Sequence, residues 1–382
     1  MKTVFKYLLF GLLLGGLLLV PHYLPLLQNH FPALQASELG GSFEPAPRPR
    51  LWPQKVLEKS YQKALERHLW LENPVAPFLV RSRTHVNLLL FDQLPKGNVI
   101  KGEKGHFFSE SDCYAVMGSN DIGRDSIEEI CHKLEVVTQY FAADSIPVLL
   151  LVPPAKPRMY PDALPEAIRT HPNGGKEIAE FLSVLREKDI PLIDYGYLRE
   201  QQQENDAPLY PFGGLHWNHY GIGLAVDSLR NRVMELLDRS VAQMQWRDEI
   251  EWRTELASTD RELINGGNFL VEPPLQAMPY PTFRFPKSGK TNPPRVFVAG
   301  DSFYMLMYNE GIHKGLWAKE SVFAYYFRVI HPLKMRGKMP MSGPALLASL
   351  SEKDLILISC YDSNLHRLGF GFVEKLYDLI SK

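Results

Sequence analysis

The sequence predicts an α/β domain built on a mostly parallel sheet, and three observations carry that expectation. Continuous apolar runs recur, PVLLLV at 147–152, RVFVA at 295–299 and DLILISC at 354–360. Amphipathic stretches of helical period lie between them, and prolines gather at the edges of the runs. A run that is apolar at every position suits a strand buried on both faces. Strands alternating with helices imply a parallel sheet covered on both sides.

The chain begins with Lys2 and Lys6 ahead of an apolar run from Tyr7 to Val20, continued after Pro21 by His22 to Leu27. From Val4 to Leu27 the segment approaches the ~20 residues that span a bilayer. Its lysines would stay cytoplasmic. A cleaved signal needs a small-residue site, and the only fair one is near Ala36, far from the run. We therefore expect residues 1–36 to be a signal anchor rather than a removed signal peptide. Either reading sends the rest of the chain across the membrane. Residues 37–95 are expected to be a linker, rich in proline and glycine over 37–53, and then a helical arm packing on the main domain. In that arm Val56, Tyr61, Leu65 and Leu69 fall near helical spacing over 54–72.

The main domain is expected over 96–382. Ser126–Glu129 has the pattern of a capping box, and Ile127, Ile130, Leu134, Val137 and Phe141 behind it share one helical face. The strand at 147–152 follows, then a helix over 176–188, the strand PLIDY at 191–195 and a helix over 220–238. After the strands at 295–299 and 354–360 comes a C-terminal helix with Phe372, Leu376, Leu379 and Ile380 on one side. Residues 243–288 show no period and are expected to be an irregular insertion beside the site.

Composition narrows the function. The formal net charge of −1 gives no basic signature for nucleic acid. The three cysteines, Cys113, Cys131 and Cys360, form no CxxC pair, so no metal site is expected. They suit either three small apolar fillers or, outside the cytosol, one disulfide and one free thiol. No cofactor motif is present, and a chelator should leave any activity unchanged.

Chemistry is sought at the carboxyl ends of the strands, where such sheets bind ligands. Gly300-Asp301-Ser302-Phe303 directly follows the RVFVA run. A helix starting there would aim backbone N–H groups at the place the Ser302 hydroxyl occupies, where they could hold an oxyanion. The alternative is an ordinary strand-to-helix turn capped by Asp301. Gly213 to Gly221, GGLHWNHYG, lies between PLIDY and the next helix and carries His216, the residue type that takes a proton from serine. His219 is the competitor. Asn218 and Asn364 are candidates for a further oxyanion donor.

These two blocks, with Gly102–Phe108 (GEKGHFF) and Val152–Pro161 (VPPAKPRMYP), resemble the alginate O-acetyltransferase family (AlgX/AlgJ-like) of the SGNH hydrolase-like group. The resemblance covers roughly residues 70–382, with histidine ahead of serine. It implies an SGNH hydrolase-like three-layer sandwich whose nucleophile is Ser302 and whose base is His216. Asp301 would orient the serine turn or act directly. Lys156, Tyr160, Trp217 and Asn218 would line the substrate site. It implies an acetyl transfer to an exopolysaccharide such as alginate, on the periplasmic side of the inner membrane, with a membrane-bound O-acyltransferase as acetyl supplier. The family's aspartate two residues before the histidine is Gly214 here. Asp194 or Asp206 could replace it, or a backbone carbonyl could orient His216, or catalysis could be lost. The alternatives are thus a deacetylating esterase of the same fold and a non-catalytic polysaccharide-binding component of an export assembly.

Overall fold

The computed structural model describes residues 39–40, 48–50, 56–71, 76–95, 97–204, 207–286, 291–326, 328–333 and 343–381. The expected anchor over 1–36 and most of the expected linker lie outside these residues. Among the described residues no helix is long and apolar enough to cross a membrane. The chain divides into two compact units, Met1–Val99 with Ile264–Pro274, and Ile100–Leu263 with Leu275–Lys382.

Among the described residues the smaller unit includes the helices α1 (Lys59–Leu71) and α2 (Ala76–Phe91). α1 begins later than the apolar spacing predicts: Val56 and Leu57 are exposed, while Tyr61 inside the helix is buried.

The short strands β1 (Val99–Lys101), at the start of the larger unit, and β2 (Phe107–Ser109) pair and lead into α3 (Glu110–Val116) and α4 (Arg124–Ala142). Then come β3 (Val148–Val152), the single turn α5 (Lys156–Met159), α6 (Lys176–Glu187), β4 (Leu192–Asp194) and α7 (His219–Leu237). The segment expected to be irregular instead holds β5 (Ile250–Arg253) paired antiparallel with β6 (Met278–Pro281), and between them the short helix α8 (Glu262–Gly267). β7 (Val296–Gly300), α9 (Ser302–Asn309), β8 (Val322–Tyr325), β9 (Arg328–His331), α10 (Pro344–Ser351), β10 (Leu355–Ser359) and α11 (Phe372–Ile380) complete the unit.

The main sheet runs β4-β3-β10-β7-β8-β9. It is mixed: β9 pairs antiparallel to β8, and the other neighbours are parallel. β3, β7 and β10 are buried at all five positions, as their unbroken apolar runs require. Alternate residues feed two cores. Val148, Leu150, Phe297 and Ile356 meet α4, α6, α10 and α11 on one side. Leu149, Leu151, Val298 and Leu357 meet α7 and α9 on the other.

The α4 face is as the period predicts, with Ile127, Leu134, Val137 and Phe141 buried. Its start is not. The helix begins at Arg124 behind Gly123, with no side-chain cap, so Ser126 and Glu129 fall inside the first turns rather than forming a capping box. Cys113, Cys131 and Cys360 are buried free thiols, which corrects the disulfide alternative. Burial pushes the pKa of Cys113 and Cys131 up to about 12, so both behave as apolar fillers.

Candidate active site

The serine end is built by the sheet. β7 lies between β10 and β8 and ends at Gly300. A Cβ on Gly300 would lie 2.8 Å from the Phe323 ring, so any larger residue would have to displace that buried ring. Asp301 is the N-cap of α9, and Ser302 is the first residue of that helix. The Asp301 carboxylate is fully buried and accepts from the Tyr304 N–H (3.3 Å), the Ser359 hydroxyl (2.9 Å) and the Tyr361 N–H (2.7 Å). Burial raises its pKa against those bonds. Its oxygens therefore tie α9 to the end of β10. Direct action by Asp301 is corrected accordingly, and its place is that of a structural orienter.

The histidine end is built by a loop. Residues 208–218 have no strand or helix, and other segments hold them by side chains and stray N–H groups. Lys156 is completely buried and donates to three loop carbonyls, Pro211 (2.6 Å), Phe212 (2.8 Å) and Gly214 (3.0 Å). The Tyr160 hydroxyl accepts from the Leu209 and Tyr210 N–H groups, both at 3.2 Å. Tyr210 donates to the Pro154 carbonyl at 2.5 Å, and the Phe107 N–H donates to Phe212 at 2.9 Å. The His106 ring packs against Phe212 and Tyr160 with centroids 4.4 and 4.5 Å away.

The two ends meet in one relay. His216 Nε2 lies 2.8 Å from Ser302 Oγ. His216 Nδ1 lies 2.8 Å from Glu262 Oε2, which also accepts from the Leu215 N–H at 3.3 Å. A carboxylate has no proton to give, so Nδ1–H donates to Glu262 and Nε2 keeps the lone pair that faces the serine hydroxyl. The Phe303 ring stands edge-on to the imidazole at 4.8 Å and fixes its plane. Such an arrangement can take a proton from Ser302 as a bond forms to Oγ and return it to a leaving group.

Glu262 is the functional residue that the sequence reading missed. It stands 46 positions from His216, at the first position of α8, in the stretch expected to be irregular. The weak signal was the polar cluster Ser258-Thr259-Asp260 just ahead of an acid, a helix-start pattern. Of the two proposed substitutes, Asp194 is engaged elsewhere. Asp194 accepts from Arg158 (2.8 Å) and Arg186 (3.0 Å), and Asp206 lies outside the described residues. Gly214 has a physical reason too. A Cβ there would sit 2.7 Å from Pro211 Cγ and 2.9 Å from the Thr259 carbonyl oxygen, so this packing admits no aspartate.

Residues 99–263 match the family model described as the SGNH hydrolase-like domain of acetyltransferase AlgX. Over those residues the chain is similar to that acetyltransferase-type domain. The match takes in His216 and Glu262 and ends before Ser302. Among solved structures, the O-acetyltransferase domain of Pseudomonas putida AlgJ is 16% identical over 74% of this chain and 99% of its own, with a TM-score of 0.43. Pseudomonas aeruginosa AlgX is 12% identical over 77% and 70%, with a TM-score of 0.47. Bacillus cereus PatB1 is 13% identical over 64% and 91%, with a TM-score of 0.41. No curated protein sequence matches.

In this domain the residues expected to bind substrate are scaffold instead. Lys156 and Tyr160 hold the histidine loop, as described above. Asn218 is buried at the N-cap of α7, accepting from the Gly221 N–H (2.9 Å) and donating to the Pro208 carbonyl (2.6 Å). That also removes it as an oxyanion donor. Trp217 is buried against Phe303 and Tyr195, both edge-on. The competitor His219 pairs with Glu310 at 3.0 Å. Among the described residues no cluster of His, Cys, Asp and Glu could hold a metal ion. Tyr326, which the sequence reading passed over, interacts through its hydroxyl with Ser302 and stands at φ +42° just after β8.

Proposed function

We propose that this protein is a serine-dependent O-acetyltransferase that works outside the cytoplasm on a polysaccharide acceptor. The observation that carries the reading is the Ser302–His216–Glu262 relay, with both contacts at 2.8 Å. His216 takes the Ser302 proton as Oγ attacks the carbonyl carbon of an acetyl donor. The tetrahedral oxyanion faces the first turn of α9, where the N–H groups of Ser302 and Phe303 have no partner one turn back. Asp301 accepts the N–H of Tyr304 and leaves those two to the oxyanion. His216 then protonates the leaving group. In the second half it takes the proton of a sugar hydroxyl as that oxygen attacks the acetyl-serine, and gives it to Ser302 Oγ as the acyl–Oγ bond breaks, so that the acetate ester passes to the sugar and the serine is restored.

Glu262 removes the motive for a non-catalytic reading, since the orienting acid that Gly214 lacks is supplied from α8. Periplasmic placement at the inner membrane rests on the apolar segment Val4–Leu27, and the acetyl supplier on that side would be a membrane-bound O-acyltransferase. A deacetylase would run the same first half with water as acceptor.

The test is mass spectrometry of the full chain after mixing with p-nitrophenyl acetate, with and without oligosaccharide. We expect a ~42 Da adduct on Ser302, absent from Ser302→Ala and His216→Ala, and faster loss of the adduct with acetylated sugar appearing. Equal adduct in Ser302→Ala would sink the proposal. Loss of the adduct to water alone, indifferent to any sugar, would make the protein an esterase.

A further inference from the structure

We propose that the larger unit has a second binding site, for an amphipathic organic anion, in a cavity rimmed by Arg158, Arg169, Arg186 and Arg199. The cavity measures about 420 Å3. That falls within the ~300–1,000 Å3 of small-molecule sites. None of the Ser302 relay lines it.

Its charge is one-sided. Four guanidinium groups line it against one carboxylate, Asp194. Asp194 is already used: Oδ2 accepts from both Arg158 and Arg186, and Oδ1 from the Gly196 N–H at 3.0 Å. Among the described residues Arg169 and Arg199 pair with Glu103 and Asp162, at 3.6 and 3.7 Å, and those carboxylates are 48% and 77% exposed. Solvent-exposed pairs of that kind contribute little, so an incoming oxyanion can take both guanidinium groups.

The backbone adds to the same field. α6 has twelve residues and begins at the cavity, where Gly174, Gly175 and Ile178 belong to the lining. Gly175 is the N-cap and has no side chain to offer, so the positive end of the helix opens onto the space. The rest of the wall is apolar, with Leu164, Ile168 and Leu182 among its residues. A bare inorganic ion would leave that wall wet, and a neutral apolar molecule would leave the arginines unanswered. The occupant therefore joins a carboxylate or phosphate head to an apolar body.

The position is distinct. Asp194 ends β4 and Arg158 follows β3, at the same edge of the sheet as Ser302. β4 stands three strands from β7, or ~14 Å at the usual spacing.

The probe is hexyl phosphate, titrated calorimetrically into the full chain in nanodiscs of uncharged lipid, with empty discs as blank. We expect one hexyl phosphate per chain, with inorganic phosphate and hexanol each at least tenfold weaker. Arg169→Ala with Arg199→Ala should weaken it at least tenfold. Ala179→Trp, a change at an exposed position on the cavity wall, should abolish it. Ser302→Ala should leave it unchanged. An unchanged melting temperature shows that each variant is folded. Absence of binding, equal binding in the arginine or tryptophan variants, or loss of binding in Ser302→Ala would each overturn the site.

Discussion

The serine and histidine ends of the relay are held by opposite means. Ser302 is placed by regular structure: a strand buried at all five positions, paired on both edges, that runs into a helix. His216 is placed by an irregular loop that distant side chains hold, above all the three bonds of Lys156. Position at the serine end is therefore a collective property of the sheet. At the histidine end a few groups carry it, and single substitutions should separate the two.

The largest effect is expected inside the relay. Glu262→Gln keeps the shape but offers Nδ1 an amide, which can hold the wrong tautomer and cannot balance the imidazolium charge. We expect kcat/KM for acetyl transfer to fall about a hundred- to ten-thousand-fold. The melting temperature should hardly move, since Glu262 is one-third exposed. A loss of less than about threefold would mean that His216 works without its acid.

Next comes the contrast between the two scaffolds. Lys156→Met keeps the bulk and strips the donors from three loop carbonyls. At ~1–3 kcal/mol for each buried group left unsatisfied, offset by relief of the burial that pushes the lysine pKa well down, the net cost should be about 2–4 kcal/mol. Acetyl transfer should fall further than the folded fraction does, because His216 is released. Asp301→Asn keeps one acceptor oxygen and turns an amide N–H toward the Tyr361 N–H. It should cost about 1–2 kcal/mol and leave more activity than Lys156→Met. Chemical denaturation beside turnover decides it, and the reverse ranking would dissolve the contrast.

The smallest effect is a pH dependence at the histidine end. Burial, then Lys156, then Lys104 lower the His106 pKa from 6.5 to about 3. The folded state keeps this ring neutral while the unfolded chain takes a proton below about pH 6.5, so its contribution is full above that pH and lost as pH falls toward 3. His106→Phe keeps the stack with Phe212 and Tyr160 and removes the titration. Its melting temperature relative to the parent should rise on going from about pH 7.5 to about pH 5. A constant difference would show that His106 does not set the acid limit.

The sequence made the serine end legible for the same reason that the sheet holds it. An unbroken apolar run followed by Gly-Asp-Ser has few structural readings. His216 was legible as a candidate base from its type and its place before a helix. Burial was not legible. Lys156, Tyr160, Trp217 and Asn218 belong to residue types that commonly face ligands, and nothing in their neighbours shows that all four are buried or that the polar atoms of Lys156, Tyr160 and Asn218 are spent on backbone. Glu262 was hidden because no periodic signal links a short helix in an aperiodic stretch to a loop 46 residues earlier. The α4 start was misplaced because Gly123, with φ at +75°, ends the preceding loop ahead of the apparent capping box.

The tight fit around Gly214 also bears on how relatives of this chain are sorted. A rule that demands Asp-x-His would discard it as inert, although the acid has only changed its address. Where a relative has glycine at that place, the informative question is what fills the space beside it. A proline three residues back and a carbonyl pressed against the glycine would point to a carboxylate arriving on a later segment. An open space would mark a site that has lost its acid.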